Sequence, residues 1–134
     1  PAPAGLPRVL IAEDNRTNQL VFRRMLEAEP CEIAFAANGL EAVQLSERFR
    51  PDIILMDISM PEMDGYEATG RIRETEAETG RPPVPIVALT ANAMSGDRER
   101  CLQAGMTDYL AKPVRKAELS EVIARYAPEE KMRA

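Results

Sequence analysis

Five short apolar runs recur along the chain, and a stretch of helical periodicity follows each one. The runs are RVLIAE (8–13), CEIAFA (31–36), DIILMD (52–57), PIVALT (85–90) and DYLAK (108–112). The segments that follow them are NRTNQLVFRRMLEAE (15–29), NGLEAVQLSERF (38–49), DGYEATGRIRETEA (64–77), SGDRERCLQAG (95–105) and RKAELSEVIARYA (115–127). Runs this short suit strands, whereas the longer periodic segments suit helices. Strands joined by helices must run parallel, with right-handed crossovers. Ile53, Ile54, Leu55 and Met56 show no polar alternation, which predicts a strand covered on both faces. The expected fold is therefore α/β: five βα units wound into a parallel sheet with helices on both faces. Within the first helix, Val21, Met25 and Ala28 are expected to form the buried stripe. TGRPPVP (79–85) is expected to be a loop, and Gly105 to cap the fourth helix.

A chain of 134 residues suits one domain with its own core, expected over 8–127. Residues 1–7 (PAPAGLP) read as a linker, as at the edge of a piece cut from a larger protein, and 128–134 as a flexible tail. The net charge of −5 leaves no basic surplus to neutralise phosphates, so direct nucleic-acid binding is not expected. No apolar run is long enough to span a bilayer, and no signal-peptide pattern opens the chain. A cytoplasmic setting without direct membrane contact is expected, although a parent chain could be membrane-anchored. Cys31 and Cys101 are expected to be free thiols. With no histidine, Ser-His-Asp and Cys-His catalysis are excluded and zinc has no usual ligand set.

Open parallel sheets bind ligands beyond the carboxyl ends of their strands. The first strand ends on Glu13 and Asp14, the third on Asp57, the fourth on Thr90 and the fifth on Lys112. Three carboxylates, a hydroxyl and an ammonium thus converge on one rim. Like charges so close need neutralising, and an oxygen-only donor set suits a hard cation such as Mg²⁺. Lys112 and Thr90 are the groups a phosphoryl moiety needs around it, and a carboxylate can act as nucleophile toward phosphorus. Taken singly, each residue has a plainer role: Asp14 as a helix cap, Thr90 and Lys112 as ordinary polar residues, Asp64-Gly65 as a turn and cap. Convergence outweighs those roles for the rim residues Asp14, Thr90 and Lys112, while Asp64-Gly65 stays a turn and cap, and Asp57 is the natural acceptor.

The motifs EDN (13–15), LMDISMPEMDG (55–65), ALTA (88–91) and DYLAKP (108–113) together resemble those of response-regulator receiver domains, over roughly residues 8–126. EDNRTNQLV, ALTANAM and AGMTDYLAKPV are most similar to receivers of hybrid histidine kinases. The resemblance implies a flavodoxin-like sheet in the order 2-1-3-4-5. It implies that Asp57 is phosphorylated, that Glu13, Asp14, Asp57 and the Ser59 backbone carbonyl hold Mg²⁺ (with Mn²⁺ as a substitute), and that Thr90 and Lys112 bind the phosphoryl group. Tyr109 would be the switching aromatic, and the Lys112–Pro113 bond would be cis. The implied partners are a histidine kinase or a histidine phosphotransfer domain, with a covalently linked kinase or output domain possible. Such a domain is not a stand-alone enzyme; it promotes phosphorylation and dephosphorylation of its own aspartate. Two rivals differ in class. A haloacid-dehalogenase-type phosphatase needs a second Asp at position 59, which is Ser. A pure interaction module would not need the full set of site residues.

Overall fold

The structure is a computed structural model that describes residues 5–91 and 96–128. Most of the linker (1–4), the end of the ALTANAM motif (92–94), the expected start of the fourth helix (95) and most of the tail (129–134) lie outside the described residues. The elements run in strict alternation: β1 (Arg8–Ala12), α1 (Arg16–Met25), β2 (Glu32–Ala36), α2 (Gly39–Arg48), β3 (Ile53–Asp57), α3 (Gly65–Thr79), β4 (Ile86–Thr90), α4 (Asp97–Gln103), β5 (Asp108–Ala111) and α5 (Lys116–Tyr126). All the strand pairs are parallel, and the sheet order is β2-β1-β3-β4-β5. This is the flavodoxin-like arrangement. Pro7 is buried, and its carbonyl accepts the Glu32 N–H at 2.8 Å, so the sheet's hydrogen bonding begins just before β1.

Successive residues of a strand point to opposite faces, and the two cores follow that parity. Val9, Ile11, Ile53, Leu55, Val87 and Leu89 pack beneath α1 and α5 with Phe22, Leu119 and Ile123. Leu10, Ala12, Ile54, Met56, Ile86 and Ala88 pack beneath α2, α3 and α4 with Ala68, Ile72 and Cys101. β3 and β4 are buried at every position, because helices cover both sides of the sheet centre. Each fully buried aliphatic side chain here contributes about 1.5–3 kcal/mol of transfer free energy.

The first three helices start on side-chain caps. Asn15, Asn38 and Asp64 accept N–H groups from Asn18, Glu41 and Glu67 at 3.0, 2.8 and 2.9 Å. α1 stops at Met25 rather than reaching Glu29. Beyond it, Glu27 and Glu29 donate to carbonyls three residues back, a tightening ahead of Pro30, which disfavours helical backbone in the residue before it. Ala28 is therefore not on the helix. The expected stripe is corrected with it: Phe22 and Leu26 are buried, Met25 is half-buried, and Val21 is 44% exposed. The larger pair, one turn apart, takes the sheet-facing side. At the other end of the sequence, Ala104 is the C-cap of α4 and Gly105 lies one residue beyond it at φ 103°. The Met106 and Gly105 N–H groups return to the Cys101 and Leu102 carbonyls at 3.0 and 3.1 Å, closing a Schellman motif that needs the left-handed glycine.

Candidate functional site

β3 carries Asp57 to the centre of the sheet's carboxyl edge, opposite Leu89 of β4. Strand parity puts Asp57 on the α1/α5 side with Leu55. Glu13, one residue past β1, and Lys112, one past β5, continue the same parity from Ile11 and Leu110. The three meet. Lys112 Nζ donates to Asp57 Oδ2 at 2.8 Å and lies 3.6 Å from Glu13 Oε1, an ion pair rather than a hydrogen bond. The other Asp57 oxygen, Oδ1, accepts the Ser59 N–H at 3.0 Å. Asp57 and Glu13 are both buried, at 3% and 1% exposure, so these charges act through little solvent. The Lys112–Pro113 peptide bond is cis.

Glu13 is held through its own turn. Its Oε2 accepts the Asn15 N–H at 3.1 Å, and its carbonyl accepts Gln19 Nε2 at 2.7 Å. Oε1 is buried and has no hydrogen-bond partner. Burial pushes the Glu13 carboxyl above its ordinary range, more than the Asn15 N–H and the Lys112 charge pull it down. Burial would lower Lys112, but the hydrogen bond and charge of Asp57, with the charge of Glu13, outweigh it and hold the ammonium above its ordinary range. Asp14 is exposed beside them, and one carboxylate oxygen from each of Glu13, Asp14 and Asp57 lies within 4.8 Å of the others. An all-carboxylate donor set with a buried, unsatisfied oxygen fits a small hard cation. Lys112 balances only part of the charge.

Thr90 and Tyr109 fall on the other parity, with Ala88 and the α2–α4 core. Thr90 is fully buried, and its hydroxyl donates to Asp97 Oδ2 of α4 at 2.8 Å. Tyr109 is half-buried, with the Arg98 guanidinium 5.7 Å from its ring centre. A cleft of about 370 Å³ opens over Asp57, walled by Ser59, Asp64, Tyr66, Asp97 and Arg100.

Two contacts at the site have no local signature in the sequence. Asp97 reads as an ordinary first-turn acid, since nothing local couples it to a strand seven residues earlier. Gly65 reads as the second half of an Asp-Gly turn. Its Cα instead lies so close to β3 that a Cβ would collide with the Asp57 carbonyl oxygen and come within 2.8 Å of Ile58 Cα.

With that geometry in place, the comparisons with known proteins are decisive. Residues 9–124 match the response regulator receiver domain family. The chain belongs to that family. It is 40% identical to the sensor protein GacS of Pseudomonas syringae pv. syringae over 126 residues, which cover 94% of this chain but 14% of GacS. This receiver thus spans about a seventh of that relative. Among solved structures, it is 46% identical to the receiver domain of sensor histidine kinase PA1611 from Pseudomonas aeruginosa, with a TM-score of 0.78 over 91% of this chain and 98% of that one. That structure has a magnesium ion coordinated in its active-site cleft. The receiver domain of Ssk1 from Saccharomyces cerevisiae, crystallised with the histidine phosphotransfer protein Ypd1, superposes with a TM-score of 0.86 at 36% identity, covering 91% and 89% of the two chains. No helix among the described residues of this receiver is long and apolar enough to cross a membrane.

Proposed function

We propose that this receiver is a phosphoacceptor switch in which Asp57 takes a phosphoryl group from a phosphohistidine donor. The observation that carries this reading is the buried Asp57 carboxylate, held by Lys112 at 2.8 Å and the Ser59 N–H at 3.0 Å beside two further acids. Both Asp57 oxygens are oriented, yet each keeps a lone pair for attack on phosphorus. In the transfer, a bond forms between an Asp57 oxygen and phosphorus, and the bond from phosphorus to the donor imidazole nitrogen breaks. The imidazole leaves with the electron pair. Lys112 is placed to balance charge on the phosphoryl oxygens, and positioning of this kind supplies most of the catalysis in phosphoryl transfer. Glu13, Asp14, Asp57 and the Ser59 carbonyl would hold Mg²⁺, or Mn²⁺ in its place. When bound, the cation neutralises charge on the acids and on the transferred oxygens.

Once phosphorylated, Asp57 gains a dianion that draws in Lys112 and the Thr90 hydroxyl. Tyr109 answers the movement of Thr90, and the surface around α4, β5 and α5 changes. The donor is a histidine kinase or a histidine phosphotransfer domain. The receiver works on the cytoplasmic side, whether alone or joined to a kinase or output domain, and it does not itself touch nucleic acid or membrane. The test is transfer of label from a phosphohistidine partner, or from a small phosphodonor, in the presence of Mg²⁺. Asp57→Asn should remove the label while leaving the circular dichroism unchanged. Labelling of the variant at the unsubstituted level would refute the assignment.

A further inference from the structure

We propose that Asp97 is the resting-state latch of the switch: it holds the Thr90 hydroxyl away from Asp57 and passes phosphorylation on to α4. This inference rests on the reading of Asp57 as phosphoacceptor. Thr90 ends β4, and Asp97 opens α4. The bond between them, 2.8 Å from a buried hydroxyl to a carboxylate, is charge-assisted. A threonine hydroxyl has a single proton to donate. It cannot donate to Asp97 and to a phosphoryl oxygen on Asp57 at the same time. Phosphorylation must therefore break the Thr90–Asp97 bond before Thr90 can serve the phosphoryl group.

Breaking it has a second consequence. Asp97 and Asp57 line the same cleft. A carboxylate that has lost its hydrogen-bond donor then faces a new dianion across one cleft, and like charges repel. Asp97 is carried by α4, so the repulsion acts on the start of that helix. Arg98, the next residue, lies over the Tyr109 ring, so displacement of this turn reaches the aromatic directly. One side chain thereby links the acceptor site to the two parts of the surface expected to move. Asp97 is a positioning residue: it acts through Thr90 and through α4, not on the transferred group.

The test uses beryllofluoride with Mg²⁺ as the phosphoryl mimic, followed by NMR on the unsubstituted receiver, Asp97→Ala and Asp97→Asn. Removing the competing acceptor and the repelling charge should tighten beryllofluoride binding by about tenfold in Asp97→Ala, the scale of one charged hydrogen bond. Asp97→Asn keeps an acceptor oxygen but no charge, and should fall between the two. Before any beryllofluoride is added, the Tyr109 and α4 resonances of Asp97→Ala should already lie part-way along the line toward the saturated positions. A residue that only supported α4 would instead weaken binding and scatter those shifts. Binding equal to or weaker than that of the unsubstituted receiver, with no shift along that line, would overturn the latch while leaving the phosphoacceptor reading intact. A failure of the unsubstituted receiver to respond to beryllofluoride and Mg²⁺ would overturn the phosphoacceptor reading, and the latch with it.

Discussion

Lys112 holds Asp57 and lies 3.6 Å from Glu13, and the three come from positions 13, 57 and 112 of the chain. Such a cluster works only if each backbone is fixed to within a fraction of an ångström, because charge-assisted bonds lose strength quickly with distance and angle. Gly65 is part of that fixing. It lets α3 begin directly against the carboxyl end of β3, where its N–H donates to the Ile58 carbonyl at 3.2 Å. Gly65→Ala would press a methyl group into the Asp57 carbonyl. It is expected to destabilise the fold by about 1–3 kcal/mol in urea unfolding, the usual cost of overpacking. It should also slow labelling from a small phosphodonor, because the strand end carrying the acceptor has to shift. The chemical identity of the site was readable from these residues, since carboxylates, hydroxyl and lysine follow apolar runs. The role of Gly65 was not, because an Asp-Gly pair looks the same whether or not a strand passes behind it.

At the scale of the element, β3 does most to present the site. Its five residues are all buried, with Ile53 and Leu55 in one core and Ile54 and Met56 in the other. Leu55→Ala should cost about 2–5 kcal/mol in chemical unfolding, since neighbours packed on both sides of the sheet cannot collapse freely into the space left. An equal loss at Val21 of α1 is not expected, because that side chain is 44% exposed. This contrast shows where periodicity falls short. The helix was legible from its spacing, but its rotation on the sheet was not, because Leu20, Val21, Phe22, Met25 and Leu26 offer a broad apolar arc. In the folded chain Phe22 and Leu26 face inward, while Leu20, the same size as Leu26, stays 51% exposed.

Across the whole molecule, the two cores fix the carboxyl edge of the sheet, and the acids gathered there would couple stability to cation binding. A cation that binds the folded chain and not the unfolded one raises stability by mass action, by about 2.7 kcal/mol at a hundredfold excess over its Kd. The melting temperature should therefore climb with Mg²⁺ concentration and fall back on chelation. Asp14→Asn should flatten that dependence without lowering the metal-free melting temperature. A metal-independent melting temperature in the unsubstituted receiver would count against the acidic site as a cation site. The sequence by itself determined the βα alternation, the parallel sheet and the chemical types at the strand ends, because periodicity and residue type are local properties. The tertiary structure decided the rest. It set the parity that puts Glu13, Asp57 and Lys112 on one side of the sheet and Thr90 and Tyr109 on the other. It also supplied the close approach that makes Gly65 necessary and the bond that ties Thr90 to Asp97. Those contacts join segments brought together only by the folded sheet and its helices, and no local pattern records which partner a side chain will meet.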